Sequence, residues 1–273
     1  MKFTVVGASG FIGGALARKL DVLGHEVFAP ARGGNALLEH ALGHVIYAAG
    51  ITADFRSRPF DTLRANTTML AELLEHARFD SFLYLSSARL YRHVAHAVED
   101  AAIPVRPTDP EDLYDLTKLT SESLCHASTR RAVRIVRLSN VVGADFRSNN
   151  FLSDMVRSAC GNGVIELRTD LDSAKDYVCL HDVVDALPEI SMAGSHTCYN
   201  LAAGANLTHR QLIEPILAAS GARLIVCEDA PRSVSPIIDI SRLRNEFAYR
   251  PSAVLPLITE LVREYRKQQH VEN

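Results

Sequence analysis

The sequence predicts an α/β protein built on a doubly wound, parallel sheet. Three observations carry that prediction. A glycine-rich turn, Gly7-Ala-Ser-Gly10-Phe-Ile-Gly13, sits between a β-rich apolar run and a helical pattern. Short apolar runs then alternate with helical patterns as far as Leu138. The segments with chemical character each follow the end of such a run, where an open α/β sheet places its ligand crevice.

The elements follow in order. Phe3–Val6 is the first strand and stops at Gly7; Ile12, Leu16, Leu20 and Leu23 then share one helical face, and Gly24 ends that helix. Glu26–Ala29 and His44–Ala48 are the next two strands. Only one short helix fits between them, so the sheet is expected to lack one outer strand of the usual dinucleotide fold. A long helix should follow Pro59 with Leu63, Leu70, Leu73 and Leu74 on it; strand Ser81–Leu85, a second long helix from Pro110 to Thr129 and strand Arg134–Leu138 come next. Beyond Asn140 the pattern loosens. Short strands (Val164–Leu167, Asp176–Leu180, Cys198–Leu201, Arg223–Cys227, Ile237–Ile240) mix with helices (Asn150–Ala159, Leu207–Ala219, Val254–Arg266). The division expected is a Rossmann-type dinucleotide-binding domain over 1–140. A smaller substrate-binding region over 141–273 is expected to return some segments to that core.

Composition bounds the function. The chain has 273 residues, 47% hydrophobic and 22% charged, with net charge −3, and no dense basic face that would suit nucleic acid. No apolar run approaches the roughly 18 residues of a membrane span. The five cysteines are scattered, with no CxxC pair, as in a reduced, cytoplasmic protein. The apolar N-terminus carries four glycines by Gly14 and runs into Arg18 and Lys19, which reads as strand, turn and helix rather than a secretory leader. His93 and His96 lack a completing ligand, so no metal is expected.

The glycine turn suits a pyrophosphate. Gly7 permits the tight turn, Gly10 lets the backbone approach the anion, and Gly13 lets helix and strand pack closely. Ser9, Phe11 and Ile12 complete the loop, whose helix start offers free N–H groups. At the end of the second strand, Ala29-Pro30-Ala31-Arg32 holds no acid to grip a ribose diol. Arg32 instead suits a 2′-phosphate, which favours NADP over NAD. Ala48, Ala49 and Gly50, ending the third strand, are further cofactor contacts.

Tyr114 and Lys118 are one helical turn apart and share a face. An ammonium beside a phenol stabilises the phenolate, which is expected to lower the tyrosine pKa and make it an acid/base. Ser87, at a strand end, can hydrogen-bond the same reacting oxygen.

With these motifs together the chain resembles the extended short-chain dehydrogenase/reductases, the NAD-dependent epimerase/dehydratase family. The matching stretches are Gly7–Gly13, Val45–Ala49, Ser86–Tyr91, Tyr114–Lys118, Arg137–Gly143 and Asp176–Asp182, in family order. The resemblance implies a nucleotide-diphosphate sugar as substrate. It also implies hydride exchange between a sugar carbon and nicotinamide, and a homodimer packed through the two long helices. It places Asn140 against the sugar diphosphate, Lys175 where an arginine often binds that diphosphate, and Arg232 as a second phosphate clamp. Asn66 resembles an asparagine that helps hold the family's site.

Ala88 and Arg89 stand where dehydratases and decarboxylases carry an acid. Epimerisation at C4, or reduction of a keto sugar, therefore remains. Arg92 departs from the family's usual glycine after Tyr91. Two other functions stay open: reduction of a non-sugar carbonyl, and a catalytically silent NADP(H)-binding regulator.

Overall fold

The computed structural model describes residues 1–31, 36–52, 54–130, 132–146 and 150–272, without the side chains of the last three. Its central sheet has six strands in the order β2-β1-β3-β4-β5-β9, all parallel. The chain runs β1 (Lys2–Val6), α1 (Phe11–Val22), β2 (Glu26–Phe28), α2 (Ala36–Glu39), β3 (His44–Tyr47), α3 (Pro59–Leu63), α4 (Met69–His76), β4 (Ser81–Ser87), α5 (Asp112–Ala127) and β5 (Val133–Leu138). Then come β6 (Asn140–Val142), α6 (Phe151–Gly161), β7 (Val164–Leu167), β8 (Ala174–Cys179), α7 (Leu180–Ala193), β9 (Cys198–Leu201), β10 (Asn206–Thr208), α8 (His209–Ser220), β11 (Arg223–Val226), α9 (Ser241–Phe247) and α10 (Val254–Glu272).

Side-chain alternation along the strands sorts the core into two layers. Phe3 and Val5 of β1, Ile46 of β3, Leu83 and Leu85 of β4 and Val136 of β5 face α1 and α7, where Leu16, Leu20, Leu187 and Ile190 meet them. Val45 and Tyr47, Phe82 and Tyr84, and Val133 and Ile135 face the opposite side, against Leu70, Leu73 and Leu74 of α4 and Cys125 of α5. Both faces are covered, so the strands read as near-continuous apolar runs. The same alternation turns Ser86 and Arg137 toward α5; they are register partners near the carboxyl ends of β4 and β5.

The later residues split between two places. β9 returns to the central sheet beside β5. A separate core gathers Leu152, Met155 and Val156 of α6, Leu212, Ile213 and Ile216 of α8, and Ile258, Leu261 and Val262 of α10. Around it lie a three-stranded sheet, β10-β8-β6, and the pair β11-β7. Local chemistry bounds the helices here: Thr208 and Gln211 form a reciprocal cap at the start of α8, and Gly221 ends it with φ +72°.

Two expectations need correction. Ile237–Ile240 makes no strand; only an isolated bridge joins Ile238 to Ala97, because the alternate residue Ile237 is exposed and has no sheet to cover it. The long helix after Pro59 is interrupted by a π-helical turn over Arg64–Thr68, which buries Asn66 and Thr67 and leaves Leu63 exposed. α9 and β6 carry no signal strong enough to be expected. Between β2 and β3 the described residues hold only the four-residue α2, so β2 is the sheet's edge. No helix among the described residues is long and apolar enough to cross a membrane.

Candidate active site

The glycine turn joins β1 to α1 against the end of β3. Gly7 has φ +93°, and a Cβ there would lie 2.6 Å from the Ala49 nitrogen. A Cβ on Gly13 would lie 2.3 Å from the Gly7 carbonyl oxygen, so helix and strand approach as closely as bare backbone allows. Gly10 caps α1 with no side-chain hydrogen bond, leaving the first-turn N–H groups of Phe11, Ile12 and Gly13 for an anion. Ser9 and Gly10 are exposed at its tip. Ala48, Ala49 and Gly50 line the adjoining strand end; the Ala48 N–H donates to the Val6 carbonyl at 2.8 Å. A backbone cradle beside an uncapped helix start fits the diphosphate of a dinucleotide. Arg32 lies outside the described residues.

Gly50 leads directly to the lysine. A Cβ on it would lie 3.5 Å from Lys118 Nζ and 2.8 Å from Asn66 Oδ1. The Asn66 side chain is fully buried in the π-helical turn, accepting from the Ile51 N–H at 3.1 Å and donating to Thr117 Oγ1 at 3.0 Å. It thus ties the β3 end to α5. Lys118, 4% exposed, donates to the Leu85 carbonyl at 2.9 Å. Its Nζ sits 4.9 Å above the Tyr84 ring and 5.8 Å from the Tyr114 ring centre. Burial pushes this ammonium down to about 8, opposed by Glu122.

Tyr114 is 4% exposed. Burial pushes its phenol up to about 12, while the hydrogen-bonding Ser87 hydroxyl pulls the other way. The expectation that Lys118 lowers this pKa is not met in the protein alone. Desolvation dominates, opposed by Ser87 and Arg89 rather than by Lys118, whose ammonium is spent on the Leu85 carbonyl. Ser87 Oγ also accepts from the Arg89 N–H at 3.2 Å, which holds the turn after β4 in place. Ser87, Tyr114 and Lys118 therefore converge at the carboxyl end of β4.

A ring and a set of charges cover this site. Phe55 lies 5.7 Å from the Tyr114 ring, and the guanidinium groups of Arg56 and Arg89 stand 4.4 and 5.5 Å from the Phe55 ring centre. Glu111 accepts from both arginines. Asp115 pairs with Arg89 Nε at 3.3 Å and Arg92 Nε at 2.9 Å, and Arg92 also pairs with Asp112. The arginine that replaces the expected glycine at position 92 is thus held by two buried carboxylates of α5.

The substrate-side residues are more dispersed. The Asn140 amide donates to the Asp176 carbonyl at 2.7 Å, on the strand that carries Lys175. Lys175 is half-buried and makes no ion pair among the described residues; burial and then Arg89 hold its pKa down. Arg232 is exposed on a loop joined to β8 by a bridge between Val234 and Ala174, and it is not brought to Tyr114 by any described contact.

Two groups escaped sequence reasoning. Glu122, one turn beyond Lys118, pairs with Arg137 through two hydrogen bonds at 3.0 and 2.6 Å and accepts from Ser86 Oγ at 2.5 Å. Its place at i+4 from Lys118 was the available signal. The donor atoms of Cys179, His181 and Asp182 lie within 4.8 Å of one another, but all three are engaged by Ser252. A cavity of about 770 Å³ opens on the far flank of α5, lined by Leu119, Glu122, His126, Arg137 and Arg242, away from Tyr114.

Comparison with known proteins agrees with this architecture. The chain is 24% identical over 312 residues to a dTDP-4-dehydro-6-deoxy-D-allose reductase from a Streptomyces species, covering 96% of this chain and 95% of that one. Among solved structures it resembles MoeE5 in complex with UDP-glucose and NAD, with TM-score 0.83, 20% identity and coverage of 98% and 100%. It also resembles RMD from Pseudomonas aeruginosa complexed with NADPH, with TM-score 0.77, 23% identity and coverage of 96% and 98%. The model of the NAD dependent epimerase/dehydratase family matches residues 3–202, and the chain belongs to that family of enzymes.

Proposed function

We propose that this enzyme exchanges hydride between a carbon of a nucleotide-diphosphate sugar and a nicotinamide cofactor, with Tyr114 as proton carrier. The observation that carries this is the meeting of Tyr114, Ser87 and Lys118 at one strand end, next to the glycine cradle. Bound nicotinamide would supply or accept the hydride. The Gly7–Gly13 turn and Ala48–Gly50 would hold the cofactor, and Lys118 its nicotinamide ribose. Asn140, Lys175 and Arg232 would meet the substrate's diphosphate.

A phenol held near 12 is protonated at neutral pH. It is poised to give its proton to the oxygen of a carbonyl that is receiving hydride, with Ser87 orienting that oxygen. Reduction of a keto sugar uses that proton directly; epimerisation at C4 would use the same phenol first as base and then as acid. The lack of an acid after β2 and the presence of Arg32 support NADP. Phe60 and Leu63 of α3 are exposed apolar residues that a second copy would cover, which supports a homodimer. Five free cysteines fit a reducing cytoplasm.

Tyr114→Phe tests the reading. It removes one hydroxyl and is expected to lower NADPH-dependent reduction of dTDP-4-dehydro-6-deoxy-D-allose, the sugar in a relative's name, by roughly 10²- to 10⁴-fold, with NADPH binding unchanged by fluorescence titration. Undiminished transfer in this variant overturns the assignment. NADPH binding without hydride transfer in the wild type would indicate a silent regulator instead.

A further inference from the structure

We infer that Glu122 is a positioning residue for the reaction: fixed by Ser86 and Arg137 one helical turn from Lys118, it supplies the negative charge that keeps the Lys118 ammonium protonated. The inference rests on the role given above to Lys118.

The geometry comes from two neighbouring residues of β4. The Leu85 carbonyl accepts from Lys118 Nζ, and the next side chain, Ser86, donates to Glu122. One strand thus fixes the ammonium and the carboxylate, which already sit one helical turn apart on the buried face of α5. Glu122 is 3% exposed and cannot swing away to solvent. Arg137 grips both of its oxygens, and the register pair Ser86–Arg137 brings both grips to the same level of the sheet. Arg137 is held in turn by the Tyr91 hydroxyl and the Glu99 carbonyl, and Tyr91 donates to Asn200.

The carboxylate carries a charge that the lysine needs. The titratable groups facing Lys118 are Tyr114 and Glu122 on α5 and Tyr84 on β4; Asn66 and Gly50 meet it as neutral groups. Of these only Glu122 is a carboxylate. Around Glu122 stand Ser86 and Tyr84 on β4, Arg137 on β5, Cys125 on α5 and Cys198 on β9; burial keeps both thiols above their ordinary range. Burial alone drives Lys118 toward the neutral amine, and Glu122 opposes it. A lysine that lost its proton would no longer grip a ribose hydroxyl as an ammonium.

The test reads the lysine itself. In full-length protein with isotopically labelled lysine, NMR follows the Lys118 titration, assigned by its loss in Lys118→Arg. The wild-type midpoint is expected near 8. Removing a charge several ångströms away in a protein interior is worth about one unit or more. Glu122→Gln leaves Arg137 buried without its partner and can fail to fold. The double variant E122Q/R137M leaves neither charge stranded, and is the decisive protein.

In E122Q/R137M the positive charge of Arg137 leaves together with Glu122, so the midpoint should fall by roughly half a unit, and the alkaline limb of NADPH-dependent hydride transfer should move to lower pH with it. Glu122→Asp should restore most of both. A midpoint within about 0.3 unit of wild type in E122Q/R137M, whatever its melting temperature, overturns the inference. Tyr114→Phe, run alongside, separates the two levels. Normal turnover in that variant would sink the reading of the site. Lost turnover there with an unmoved lysine in E122Q/R137M would sink only the role of Glu122.

Discussion

Two ionic clusters lie along α5, and they differ in depth. At its start, Arg56, Arg89 and Arg92 meet Glu111, Asp112 and Asp115 in a cluster that runs from buried Asp112 to half-exposed Arg56. Two turns further on, Glu122 and Arg137 form a pair with side chains only 4% and 6% exposed. The outer members of the first cluster, Arg56 and Glu111, can exchange partners with water at small cost. The inner pair cannot, because each charge would be left in the protein interior. Position along one helix therefore separates charges that cover the site from charges that hold its shape.

Single substitutions should expose that contrast. Arg137→Met, which strands Glu122, is expected to destabilise the protein by about 3–5 kcal/mol in urea unfolding, whereas E122Q/R137M should recover most of the loss. If the double variant is as unstable as the single one, the pair acts through more than its charges. Asp115→Asn should cost about 1–3 kcal/mol, since a buried acceptor shared by Arg89 and Arg92 loses its charge.

Glu111→Gln should change stability by only about 0–1 kcal/mol, and 0.5 M salt should erase most of that difference. Its effect should appear instead in access to Tyr114, because Glu111 joins the two arginines that flank Phe55. A lower KM with little change in kcat is the expected kinetic result. A loss of stability as large as that of Arg137→Met would place Glu111 with the inner pair and erase the distinction between the clusters.

pH dependence offers a finer comparison. The Lys118 pKa is lower folded than unfolded, so between about 8 and the ordinary lysine range the unfolded chain binds more protons and stability should rise with pH. Tyr114 acts in the opposite sense. Its folded pKa is raised to about 12, so stability should fall as pH climbs through the ordinary tyrosine range. Tyr47, Tyr84, Tyr91, Tyr177 and Tyr249 are raised in the same sense, so urea unfolding of Tyr114→Phe across alkaline pH should show a shallower decline, reduced by the Tyr114 share alone.

The parallel sheet was legible because its strands are apolar on both faces and end in glycine or serine. β1, β3, β4 and β5 appear within a residue or two of their expected places. Gly7, Gly13 and the Tyr114–Lys118 spacing were legible for a related reason: each is a local pattern with one geometric meaning. The Glu122–Arg137 pair depends on the register of β4 with β5 and on how α5 crosses them, which no local pattern encodes. Phe55 lies in the loop between β3 and α3 and carries no local signal, yet it is 3% exposed because two arginines and a phenol ring enclose it. The segment 237–240 carried alternating isoleucines but had no neighbouring strand to complete a ladder. The strength of its apolar pattern was therefore no guide to pairing.

The short outer strand has one more consequence. β2 offers three residues at the open margin of the sheet, and Glu26 at its start forms a surface ion pair with Lys2. Unpaired backbone groups at such a margin invite recruitment of a foreign chain, and brevity with charge is a common defence. An edge strand this short thus leaves little template for fibrous or domain-swapped association to begin there.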